Sequence, residues 1–136
     1  MELSTHLHFN GQCATAFRFY EQCLGGRIVT LLTHGETPAK DHVAADWQDK
    51  VIHARLVVGN KVLMGCDAPE PHYAAPRGMQ VSLSVPTPAE AERIFKALAE
   101  DGTVTMPFQQ TFWSPGFGMA VDRFGIPWMI NTEQAA

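Results

Sequence analysis

Two α+β modules with the same order of elements, βαβββ, are what this 136-residue sequence predicts. Three observations predict them. Two stretches of period-two alternation, "LSTHLHF" and "MQVSLSV", each lead into a stretch with apolar residues at helical spacing. Each helical stretch closes on glycine, at Gly25-Gly26 and at Gly102. Three short β-rich runs then follow each helix. The chain therefore reads as a single domain, 1–136, made of modules at about 1–69 and 77–133 with a connector at about 70–76. Identity between the halves is slight, so the repeat is one of element order.

In the first strand Thr5, Leu7 and Phe9 alternate with His6, His8 and Asn10, and Asn10-Gly11 supplies a turn. From Gln12, apolar residues at Cys13, Ala16, Phe17, Tyr20 and Leu24 form the buried stripe of an amphipathic helix. "RIVTLL" is a strand, and the polar stretch from His34 to Lys50 reads as a surface excursion. "VIHARLVV" and "KVLMGC" form a hairpin through Gly59-Asn60. In the second half Thr87 and Glu90 read as a capping box, with Pro88 at the first helical position and a stripe of Ala91, Ile94, Phe95 and Leu98. The last three strands fall at about 103–110, 117–122 and 126–131.

Charge narrows the partners. A net charge of −4, with ten Lys and Arg and no basic run, offers no footprint for nucleic acid. No apolar run approaches the roughly 18–20 residues that span a bilayer, and "MELSTHLHF" lacks the basic and apolar regions of a secretion signal. A cytoplasmic protein is the expectation. Cys13 and Cys23 lie ten residues apart on one predicted helix, about 15 Å by its rise, too far for a disulfide. All three cysteines read as small hydrophobes, and Asp67 and Asp122 as turn caps.

The segments "FNGQCATAFRFYEQCLGG", "VIHARLVVGNKVLMGCD" and "TFWSPGFGMAVDRFGIPWMIN", with the paired βαβββ order, resemble the PhnB-like branch of the vicinal-oxygen-chelate superfamily. That superfamily includes glyoxalase I, bleomycin-resistance proteins and extradiol dioxygenases. The resemblance implies curved sheets enclosing a cavity with helices outside, and a homodimer. In metal-dependent members four ligands, usually His, Glu or Gln, come from the first and third strands of one module and the first and last of the other. Some members of the branch carry a demethylubiquinone methyltransferase label, but this sequence has no Gly-rich turn after a first strand for a Rossmann-type nucleotide site.

Carried onto this sequence, the first position falls on Thr5 by motif alignment, whereas apolar alternation favours turning His6 and His8 to the cavity. The third-strand position is His53, with Arg55 on its face. Gln80 takes the third position and Met129 the fourth, with Trp128 and Ile130 toward the helix. A neutral amide and a soft thioether do not suit a hard divalent ion. The expectation is a small-molecule-binding protein with no cofactor and no usual metal site, its ligand contacted by His6, His8, His53, Arg55, Gln80, Met129, Asn131, Phe112 and Trp113. One alternative is a metal-dependent lyase or isomerase of glyoxalase type, with a divalent metal at an atypical site of His6, His8 and His53. The other is a subunit whose vestigial cavity serves association. Phe108, Phe112, Trp113 and Phe117 form an aromatic cluster that suits either a core or a pocket wall.

Overall fold

The computed structural model describes residues 1–133. The chain divides into two compact units, Met1–Ala75 and Pro76–Ala136. The first holds β1 (Thr5–Phe9), α1 (Cys13–Leu24), β2 (Arg27–Thr33), β3 (Val51–Val58) and β4 (Lys61–Asp67). Its sheet has the order β1-β4-β3-β2, with β1 parallel to β4 and the other pairs antiparallel. The excursion between β2 and β3 is three short 3₁₀ turns, none of which buries a residue.

The helix side of this sheet is the core. Leu7, Phe9, Ala54, Leu56 and Leu63 are buried there with Cys13, Ala16, Phe17, Tyr20 and Cys23 of α1. The Phe9 and Phe17 rings meet edge to face at 6.2 Å, a favoured aromatic geometry. Cys23 rather than Leu24 completes the buried stripe, because the helix ends one residue after it and Leu24 is only half-buried. Gly25 stops α1 in the left-handed region, φ 71°, with its N–H on the Glu21 carbonyl. At Gly65 a Cβ would stand 2.6 Å from the Phe17 ring, so the strand can approach the helix only without a side chain there.

α1 has no side-chain cap of its own. Asp67, at the end of β4, does that work from across the sequence. Its Oδ1 accepts from the N–H groups of Gly11 and Cys13, and its Oδ2 from that of Val51, each at 2.9 Å. One buried carboxylate thus ties together the start of α1, the start of β3 and the end of β4.

The second unit repeats the plan with β5 (Val81–Val85), α2 (Pro88–Ala99), β6 (Thr103–Gln109), β7 (Phe117–Val121) and β8 (Pro127–Thr132), in the order β5-β8-β7-β6. Ala91, Ile94, Phe95 and Leu98 form the predicted stripe on α2. The Thr87 hydroxyl accepts from the Glu90 N–H at 3.2 Å, and this is the half of the expected capping box that forms. Thr87→Ala should therefore cost about 1 kcal/mol, read as a lowered denaturation midpoint at unchanged slope.

The helix stop also differs in detail. Asp101 carries the positive φ, 60°, while the Gly102 N–H bonds the Ala99 carbonyl. Gly102 is needed for closeness rather than for handedness, since a Cβ there would run into the Val121 carbonyl. Asp122 is this unit's counterpart of Asp67: it is buried, and it accepts from the N–H groups of Phe124 and Ile126 and from Trp128 Nε1.

Candidate functional site

Each sheet buries one face under its helix, so the chemistry must lie on the other. In the first sheet Leu7 and Phe9 are buried, which places Thr5 on the helix side and turns His6 and His8 to the helix-free face. Strand pairing then adds neighbours. His6 lies opposite Met64 and His8 opposite Cys66 on β4, Arg55 lies opposite Met64, and His53 opposite Leu32. Paired residues share a face, so three histidines, an arginine and a thiol gather on one surface.

Within it His6, His8 and Cys66 converge. His6 Nε2 stands 3.4 Å from Cys66 Sγ, and the two imidazole rings meet edge to face at 5.2 Å. One nitrogen from each ring and the thiol sulfur, three donor atoms in all, lie within 4.8 Å of one another. Both histidines are exposed, and Cys66 is half-buried. Partial burial lowers the His6 pKa, and the positive charges that His8 and His53 can carry lower it further. Burial, then the Asp67 carboxylate, pushes the Cys66 thiol up from its ordinary value. His8→Asn should accordingly move the His6 titration midpoint upward, toward the ordinary histidine value, in an NMR titration of the ring protons. An unchanged midpoint would mean that His8 contributes nothing to it. Arg55 is held loosely by Glu2, whose carboxylate lies 3.4 Å away in solvent, a contact worth little.

Cys66 is the residue that the sequence reading assigned to packing and the structure assigns to a polar cluster. Its partner is 60 positions away in the chain. A spacing argument has no access to that contact, because it arises from β1 pairing parallel to the last strand of its unit.

In the second sheet the register of the last strand is the expected one. Trp128 and Ile130 are buried at about 1% exposure or less, whereas Met129 is half-buried and lies opposite Ser82 and Met119. Met106 pairs with Met119 in turn, so three thioethers cross the helix-free face in a row. Gln80, exposed just before β5, donates its amide to Met119 Sδ at 3.5 Å. Asn131 lies between Ser84 and Phe117, and its Oδ1 is buried with no hydrogen-bond partner among the described residues. Phe112 is 96% exposed and stacks edge-on against Trp113, which packs on Phe117. Phe108, half-buried, instead meets the buried Phe95 of α2, so the aromatic cluster divides between a pair against the helix and the exposed Phe112–Trp113 pair that packs on buried Phe117. A cleft of about 490 Å³ in this unit is lined by Pro76, Arg77, Gly78, Met79, Gln80 and Pro127, and shares only Gln80 with the predicted contacts.

These donors do not fit the hard ion that the resemblance implies. Strands β5 to β8 contain no Asp or Glu, the Gln80 amide is turned to a thioether, and Met129 is itself a thioether.

Comparisons with known proteins agree with this architecture. The family model described as the Glyoxalase/Bleomycin resistance protein/Dioxygenase superfamily matches residues 5–130. Protein YjdN of Escherichia coli K12 is 34% identical over 139 residues, covering 96% of this chain and 95% of YjdN. Among solved structures, PA1353 from Pseudomonas aeruginosa is 47% identical with a TM-score of 0.88, covering 99% of both chains. A PhnB protein from Bacillus cereus shares the fold at 24% identity and a TM-score of 0.82, covering 98% of this chain and 100% of its own.

Proposed function

The chain belongs to the glyoxalase/bleomycin resistance/dioxygenase superfamily, and from that premise we propose that it is a small-molecule-binding protein without the divalent-metal site shared between modules. The observation that carries the reading is the concentration of His6, His8, His53 and Arg55 on the helix-free face of the first sheet. A surface rich in imidazole and guanidinium suits a planar or partly apolar anion, such as an aromatic carboxylate. The buried, unpartnered Oδ1 of Asn131 supports ligand contact in the second unit as well, because a buried acceptor calls for a donor. The same proposal places a homodimer in the cytoplasm, where its three free cysteines stay reduced.

Calorimetric titration with a panel of aromatic carboxylates tests this reading. Loss of a charge-assisted bond in Arg55→Ala should weaken the best binder about tenfold or more. Parent-like affinity in both Arg55→Ala and His53→Ala would place the ligand elsewhere. The glyoxalase-type lyase or isomerase reading has less support, since among the described residues the cluster of three metal-ligating side chains lies in the first unit.

A further inference from the structure

We propose that His6, His8 and Cys66 form a binding site for one borderline-to-soft transition-metal ion of the Zn²⁺ class, built wholly within the first unit. It differs from the two-module set of His, Glu and Gln in both its donors and its location, and it does not rest on the ligand reading above.

Topology brings the three donors together. His6 and His8 are two residues apart on β1, so both imidazoles project from one face. The parallel neighbour β4 sets Cys66 directly opposite His8. No loop has to fold over to complete the set.

The spacing matches a tetrahedral ion. With metal–nitrogen bonds near 2.1 Å and metal–sulfur bonds near 2.3 Å, an imidazole nitrogen and a thiolate sulfur on one ion stand roughly 3.5 Å apart. His6 Nε2 and Cys66 Sγ are 3.4 Å apart. The widest separation among the three donors is within 4.8 Å, a gap that side-chain rotation of the exposed histidines closes.

Donor chemistry selects the ion. Two imidazoles and a thiolate favour Zn²⁺, Co²⁺ or copper over Mg²⁺, Ca²⁺ or Mn²⁺, which need oxygen ligands. Binding replaces the thiol proton: the S–H bond breaks, the proton passes to solvent, and the sulfur lone pair forms the metal bond. Three protein ligands leave a fourth position for water or an incoming anion.

The test uses Co²⁺ alone, added to reduced, untagged protein. Binding should saturate at one equivalent and give a thiolate-to-cobalt charge-transfer band that Zn²⁺ displaces and Mg²⁺ does not. Cys66→Ser should abolish the band, and His6→Ala and His8→Ala should each weaken binding at least tenfold. Met129→Leu, His72→Ala and Arg55→Ala should leave it unchanged, which separates this site from a two-module site, from adventitious histidines and from the carboxylate-binding surface. Absence of the band in the parent, or its survival in Cys66→Ser, overturns the proposal. If Cys66→Ser does not fold, His8→Gln decides, because His8 is exposed and carries no core packing; full-strength binding in that variant overturns it equally.

Discussion

Replacing Asp67 with alanine should remove roughly 3–5 kcal/mol of stability, a large share of what a domain of this size possesses. The carboxylate is 5% exposed and accepts three backbone N–H groups, from Gly11, Cys13 and Val51. Truncation leaves those donors without their acceptor in a space that water does not easily refill. Each buried unpaired donor costs about 1–3 kcal/mol, and the three do not add fully because they share one group. Asp67→Asn should fall between parent and alanine variant. Its remaining oxygen serves Gly11 and Cys13, while its NH₂ faces the Val51 N–H, donor against donor. Urea denaturation at matched slope measures both variants, and a loss below about 1 kcal/mol in Asp67→Ala would dismiss the carboxylate as an anchor.

Trp128→Ala should cost a comparable 3–5 kcal/mol or so, for a different reason. The indole is 1% exposed, the bulkiest of the fully buried side chains, so its loss opens a cavity. Its Nε1 also donates to Asp122 Oδ2 at 2.8 Å. Trp128→Phe separates the two effects, since it keeps much of the volume and removes the donor, at an expected cost of about 1–3 kcal/mol. Met129→Ala, one position along and half-buried, should cost clearly less than Ile130→Ala. If Met129→Ala is the more damaging, the faces of β8 are reversed and the thioether belongs to the core.

Much of this arrangement was legible in the sequence because periodicity is a local property. Alternation alone turned His6 and His8 away from Leu7 and Phe9, while the family resemblance, counted from the turn at Gly125, set Met129 apart from Trp128 and Ile130, and both orientations are present. Asp67 and Asp122 were readable as caps because acidic residues beside turns find backbone N–H groups, though nothing local showed that Asp67 would reach Val51. Failures cluster where distant segments decide. Gly102 was expected as a helix stop, yet its requirement comes from the Val121 carbonyl on another strand. Cys66 looked apolar because only the crossover of β1 onto β4 brings His6 to it. A neutral residue at a ligand position, such as Gln80, could be identified by its type, but its thioether partner could not.

The parallel pairing of each unit's first strand with its last has a kinetic consequence. β3 and β4 are joined by a two-residue turn and can zip as soon as they are made, whereas β1 must wait for a segment some 60 residues later. On a growing chain the N-terminal strand therefore stays unpaired until the rest of its sheet exists, and its histidines remain in solvent throughout that interval. The approach of the His6 imidazole to the Cys66 sulfur is then a reporter of the closing event of refolding. A fluorophore or a cobalt ion that senses this pair would register the last step, after the hairpin has acquired its amide-exchange protection.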